Sequence, residues 1–166
     1  MEATGTLARV DASVTITFVR TVAATPEASF RALVDPALLE RWLAAATLEA
    51  VVGGGVHLVW PGEGEMRGVV TDVADARVLE YSWSEGDADA APSLVRWELE
   101  PTDGATTLRL VHAGAAESDA VGLAAGWQSH LEALDEVLAG RSMDRAQRDA
   151  RCDELVPAYR ALLDGA

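Results

Sequence analysis

The chain has no lysine: all 13 of its basic residues are arginine. Schiff-base formation and lysine-nucleophile chemistry are therefore excluded. It has a single cysteine, Cys152, so no internal disulfide can form, and a reducing, cytoplasmic setting is expected. Long apolar runs are missing too. Gly, Thr or a charge breaks every hydrophobic stretch well short of the roughly 18–20 residues of a membrane span. The opening MEATGTLARVDASV lacks the basic-then-apolar pattern of a secretory signal, and no membrane insertion is expected. Positive charge is scarce, with 27 acidic residues against 13 basic and a formal net charge of −14. Such a surface repels phosphate backbones and anionic lipid, so nucleic acid is not an expected partner. The three histidines, His57, His112 and His130, have no i,i+3 or i,i+4 partner and no CxxC beside them, which gives no metal site. No serine sits in a GxSxG elbow. GGGVH at 53–57 leads into a strand, not into the helix N-terminus that a phosphate cradle uses. No cofactor and no catalytic residue follow from these patterns.

What is present suits one domain with a real core: 166 residues, 49% of them hydrophobic. Residues 1–12 are small and polar and read as a flexible N-terminal arm. SVTITFVRTV (13–22) alternates as a strand with one buried face, on which Val14, Ile16 and Phe18 lie. Two short helices follow. Thr25 caps and Pro26 opens the first; Asp35 caps and Pro36 opens the second, and Pro36 also stops the first. Phe30, Leu33 and Val34 make one apolar stripe, and Leu38, Leu39, Trp42 and Leu43 the other. From 47 to 112, strands are expected near 47–52, 55–60, 65–73, 77–84, 93–101 and 105–112, separated by turn-like breaks that include EGDADAAP at 85–92. Short strands with tight turns make an antiparallel meander. A long helix over 118–139 is expected to be capped by Ser118 and ended by Gly140, with Leu123, Trp127, Leu131, Leu134 and Leu138 on one face. The tail at 142–164 carries a second stripe from Cys152 to Leu163, which Pro157 should kink or split.

The order β-α-α-β6-α plus a tail helix describes an α+β, helix-grip fold, in which a curved antiparallel sheet wraps a long C-terminal helix. Five blocks in sequence carry a resemblance: TPEASFRALVDPALLERWL, GGG, MRGVVTDVADARVLEYSWS, VRWELEPTDGATTLRLVHAG and GWQSHLEALDEVLAG. Each is weak alone; in this order they resemble the SRPBCC (START-like) superfamily, and within it the C-terminal domain family of the activator of Hsp90 ATPase. The likeness covers about 13–140 and implies a helix-grip domain with an apolar ligand cavity. Residues 141–166 would form a helical tail packed on the domain or in a homodimer contact. The superfamily includes lipid carriers, hormone receptors, polyketide cyclases and stress proteins, and shares no catalytic residue that could be carried over. The eukaryotic co-chaperone of the named branch has a separate N-terminal domain that makes much of the chaperone contact. Only a dozen residues precede the first strand here, so Hsp90 contact is not expected.

Strand parity nominates the residues that face the interior: Trp60 on 55–60, Tyr81 and Trp83 on 77–84, Trp97 on 93–101 and His112 on 105–112. The long helix adds Trp127 and Leu131, with His130 at the edge of the stripe. Each tryptophan alone reads equally well as core filler. Four toward one interior suggest a hydrated cavity or a ligand with acceptors, because a buried indole N–H wants a partner. His112 and His130 are polar anchors or a proton-transfer pair in the functional reading, and hydrogen-bonded structural histidines in the plain one. Glu65 and Arg67 sit at a cavity mouth or on a solvated edge. Cys152 reads as a small core residue. Gly126 costs the helix about 1 kcal/mol against alanine, which close approach of helix to sheet would justify. Three functions remain open: binding of a small apolar, aromatic or acyl ligand; a cyclase- or hydrolase-type enzyme using a cavity histidine; and a protein-interaction module or a dimer formed through the tail.

Overall fold

Among the described residues the alternation of buried and exposed side chains builds eight strands, and every hydrogen-bonded pair among them is antiparallel. The computed structural model describes residues 2–86 and 89–166. Its elements are β1 (Thr6–Val10), β2 (Ser13–Val22), α1 (Pro26–Val34), α2 (Pro36–Trp42), β3 (Ala45–Leu48), β4 (Gly55–Trp60), β5 (Gly64–Ala74), β6 (Val78–Trp83), β7 (Ser93–Thr102), β8 (Ala105–Ala115), α3 (Glu117–Leu138) and α4 (Arg145–Asp164). The strands form one sheet in the order β1-β2-β8-β7-β6-β5-β4-β3. Helices α1 and α3 pack on it, α2 packs on α3 and β3, and α4 lies against α3 and β1. The architecture is the expected helix-grip arrangement. The turn expected across 85–92 lies partly outside the described residues.

Local chemistry explains the short helices. Thr25 accepts from the Ala28 N–H at 3.2 Å and Asp35 from the Ala37 N–H at 2.9 Å, each ahead of a proline at the first helical position. The interior is the face that parity assigns. Val14, Ile16 and Phe18, Leu79, Tyr81 and Trp83, Val95, Trp97 and Leu99, and Leu108, Leu110 and His112 are all buried. The opposite face carries ion pairs, Arg96 with Asp72 and Glu80 and Arg109 with Glu98. Strand β5 bends as it passes from β4 to β6. At Gly68 the backbones come so close that a Cβ would lie 1.8 Å from the Ser82 carbonyl oxygen, and the register shifts between Val70 and Asp72. This bend carries the end of β4 and the β4–β5 turn toward the helices.

Four expectations are corrected. The N-terminal arm is not loose: Thr6–Val10 pairs with β2 as an edge strand. Distant side chains hold it there. Thr4 N–H donates to Gln128 Oε1 and Gly5 N–H to the Tyr159 hydroxyl, each at 3.0 Å, and Gln128 Nε2 donates to the Glu2 carbonyl. The strand expected at 47–52 is β3, shifted to Ala45–Leu48, because the chain turns through 49–54 with backbone bonds from Val51 to Glu49 and from Gly53 to Val70. Ser118 does not cap α3. The N-cap is Ala116, with no side-chain bond, and the Ser118 hydroxyl goes to Asp119 instead. Helix α4 runs unbroken through Pro157, which lies on its solvent side, where the carbonyl left without a donor meets water. Leu155, Tyr159 and Leu163 anchor α4 on the same chain on both sides of that proline; Leu162, 42% exposed, points away.

Candidate functional site

Tryptophan supplies the interior with large flat surfaces, and each buried indole N–H needs an acceptor. Trp42 Nε1 donates to the Ala32 carbonyl at 2.9 Å, Trp97 Nε1 to the Tyr81 hydroxyl at 3.3 Å and Trp127 Nε1 to His112 Nδ1 at 3.0 Å. The rings form a continuous cluster of edge-on and tilted contacts, Trp42–Trp97 at 5.9 Å, Trp97–Trp127 at 5.6 Å, Trp127–Trp83 at 5.3 Å and Trp83–Trp60 at 5.9 Å between centroids. Beneath α3 the interior is therefore filled rather than hollow. The protein itself satisfies three of the N–H groups that might have called for a ligand. Trp83 is the exception: its Nε1 is buried and has no hydrogen-bond partner among the described residues.

The open space lies beside this cluster. A cleft of about 1030 Å³ runs between α3, the β4–β5 turn, the end of β6 and the first turns of α4. Trp60, Trp83, Trp127, Leu43 and Leu123 give it apolar surface, and His130 and Cys152 border it. Its floor on α3 is made by Gly122 and Gly126, one turn apart. A Cβ built on either meets nothing within 4 Å. Gly126 therefore does not serve close packing against the sheet, as its sequence context suggested; the missing side chain leaves the cleft open. Arg145 closes the far side by tying α4 to the β4–β5 turn, donating to the Pro61 carbonyl at 2.6 Å and pairing with Glu63 at 3.2 Å.

Of the eight residues nominated from sequence, Trp60, Trp83, Trp127 and His130 border the cleft. Tyr81, Trp97, His112 and Leu131 lie behind it, in the filled interior. His112 is locked. Its Nδ1 accepts from Trp127, so the neutral ring carries its proton on Nε2, which faces Ser93 Oγ at 2.7 Å; Ser93 in turn donates to the Trp83 carbonyl at 3.3 Å. Burial pushes its pKa down to about 4. His130 differs. Its Nδ1 lies 2.9 Å from the Trp42 carbonyl and donates to it, which leaves the Nε2 lone pair on the cleft side with no protein donor among the described residues. Burial lowers its pKa to about 4, against the opposing effect of the Trp42 carbonyl, so the ring is neutral at neutral pH. The Tyr81 phenol is pushed up to about 12 by burial and stays protonated. The Cys152 thiol is pushed up as well, first by burial and then by Asp153, Asp149 and Glu63, which disfavours thiolate chemistry.

Glu65 is on the cleft rim, held as a carboxylate by His57 at 2.7 Å, whereas Arg67 does not border the cleft. Sequence reasoning missed Gly122, Glu85, Asp119 and Arg148. The glycine pair at i and i+4 inside a helix was a readable signal, since two such residues on one face leave a gap. Among the described residues no group of three or more His, Cys, Asp or Glu is placed to hold a metal, and no helix is long and apolar enough to cross a membrane.

Comparison with known proteins bears on the family and the fold. The family profile described as activator of Hsp90 ATPase homolog 1-like protein matches residues 23–139. The crystal structure of CalU16 from Micromonospora echinospora is 21% identical over 98% of both chains, with a TM-score of 0.75. The protein encoded by BPP1335 of Bordetella parapertussis is 27% identical, covering 92% of this chain and 87% of its own, at 0.70. The Aha1 dimer from Colwellia psychrerythraea is 20% identical over 75% of this chain and 96% of its own, at 0.66. A search of curated proteins finds no match.

Proposed function

We propose, from the premise that this chain belongs to the activator of Hsp90 ATPase homolog 1-like family, that it binds a small ligand with an aromatic or acyl body in the cleft beside the tryptophan cluster. The observation that carries the reading is the paired glycine floor. Two glycines in the middle of a 22-residue helix each weaken it by about 1 kcal/mol against alanine. Neither is needed for packing. Three indoles border the same space, with one donor, Trp83 Nε1, left without an acceptor. Open volume, flat apolar walls and a few unmatched polar atoms are the ingredients of a ligand site.

The expected affinity is modest. Burying about 300 Å² of apolar surface gains roughly 7 kcal/mol. Association costs of about 4 kcal/mol or more leave about 3 kcal/mol at most, so binding is millimolar unless polar contacts add to it. The test is a thermal-shift panel of uncharged aromatic and medium-chain acyl compounds, run on the wild type and on Gly126→Leu. Binders should raise the melting temperature of the wild type, and the leucine side chain, projecting into the cleft, should abolish the shift. Shifts that survive unchanged in Gly126→Leu would place binding elsewhere and overturn the reading.

A further inference from the structure

The glycine floor of α3 ends at a histidine. Gly122, Gly126 and His130 follow one another at four-residue intervals, which puts them on one face of the helix, and all three border the cleft. One bond fixes the His130 ring. Its Nδ1 lies 2.9 Å from the Trp42 carbonyl, an acceptor with no proton to give, so Nδ1 is the protonated nitrogen and Nε2 carries a lone pair. Burial holds the pKa of the ring at about 4; the Trp42 carbonyl and Asp149 oppose that effect and Arg148 adds to it. At neutral pH the ring keeps its single proton, and Nε2 is an acceptor.

No donor of the chain reaches that acceptor among the described residues. The polar groups that share this stretch of wall are turned elsewhere. Ser129 Oγ donates to the Arg148 carbonyl at 2.7 Å, and the Arg148 guanidinium donates to the carbonyls of Met143 and Arg41 at 2.7 and 3.3 Å. Arg20 Nε, Ser29 Oγ and Trp83 Nε1 are unpartnered and sealed inside the protein, whereas His130 Nε2 is unpartnered and open to the cleft. Water satisfies an open lone pair. A ligand body lying over Gly122 and Gly126 excludes that water, and Nε2 then either receives a donor from the ligand or loses its hydrogen bond.

We propose that His130 Nε2 selects the polar end of the ligand: the cleft takes a neutral, hydroxyl-bearing molecule, an alcohol or phenol on an aromatic or acyl body, whose O–H donates to Nε2. An ether, a carbonyl or a carboxylate in place of that hydroxyl brings only lone pairs and is disfavoured. The assignment rests on the reading that the cleft binds a small ligand, and it adds the polar group that ligand must carry.

Two uncharged probes of nearly equal size test it: phenoxyethanol, and 2-fluoroethoxybenzene, in which fluorine replaces the hydroxyl. The acidic rim favours neither. An apolar cleft with no lone pair to satisfy prefers the fluorinated compound, whose polar end costs less to dehydrate. Each probe is titrated into the full chain at neutral pH and followed by the amide signals in proton–nitrogen correlation spectra. Phenoxyethanol should bind about three-fold or more tightly than its fluorinated analogue. In H130F the order should reverse. Long-range proton–nitrogen spectra read the ring itself: the His130 Nε2 signal of the wild type should lie upfield in the phenoxyethanol complex relative to the fluorinated one. That readout stands even if H130F fails to fold. Equal or reversed affinities in the wild type, a preference that survives in H130F, or the same Nε2 position in both complexes overturns donor selection while leaving the cleft a binding site. No binding by either probe overturns both.

Discussion

Replacing Gly126 with alanine should stabilise the protein while damaging its cleft, a combination that few positions allow. Gly126 lies in the interior of α3, where alanine is favoured over glycine by about 1 kcal/mol through the entropy of the unfolded backbone. A new methyl group there meets no atom within 4 Å, so no clash subtracts from that gain. The same holds at Gly122, and the double variant G122A/G126A should gain about 1–2 kcal/mol. For a domain of this size that corresponds to a rise of roughly 2–4 °C per kcal/mol in melting temperature. Urea unfolding should show a higher midpoint with an unchanged slope, since the surface exposed on unfolding barely alters. Ligands that rest on the helix floor should bind more weakly to the same variant. A drop in stability for Gly126→Ala would mean that α3 needs the glycine to approach a neighbour, as its sequence context suggested, and the cleft floor described above would be wrong.

Acid should destabilise the fold between the two ends of the histidine titrations. His112 and His130 have folded pKa values of about 4, below the unfolded value near 6.5, so the unfolded chain binds more protons between these limits. Stability is full above about pH 6.5 and falls as pH drops toward 4, by about 3 kcal/mol for His112 alone, and urea midpoints that stay flat across this window would refute it. Tyr159→Phe removes the hydroxyl that accepts from Gly5 and donates to Gln128, and should cost about 1–2 kcal/mol. Faster amide exchange at Gly5 is the accompanying signature, and unchanged exchange would contradict the anchoring of β1. Gly68→Ala forces a Cβ to within 1.8 Å of the Ser82 carbonyl and should destabilise by about 3 kcal/mol or more, or prevent folding, measured by circular dichroism.

The features legible in the sequence are those whose cause is local. Thr25-Pro26 and Asp35-Pro36 state their helix starts within three residues, and the period-two alternation puts Leu79, Tyr81 and Trp83 on the inner face without reference to other strands. The features that were not legible depend on partners far along the chain. The N-terminal arm reads as loose because Gln128 and Tyr159, which pin it, lie more than a hundred residues away. Pro157 reads as a breaker because nothing local says that its unpaired carbonyl faces water while Leu155 and Tyr159 hold both halves of the helix down. At the site, parity brings eight residues to one interior but does not say which of them touch open space. Trp97 and His112 face inward as surely as Trp83, yet their polar atoms close on Tyr81, Trp127 and Ser93, whereas the buried Trp83 N–H has no hydrogen-bond partner among the described residues. Hydrogen-bond partners between strands and helices are properties of the assembled fold.

The five indole N–H signals test the central claim most directly. Assigned by single Trp→Phe substitutions and followed during titration with phenoxyethanol, the signals of the cleft-bordering rings Trp60 and Trp83 should shift. Those of Trp42 and Trp97, bonded to the Ala32 carbonyl and the Tyr81 hydroxyl behind the cleft, should stay in place. Shifts confined to Trp42 and Trp97, or no shift at Trp83 from any compound that binds, would contradict a ligand site beside the tryptophan cluster.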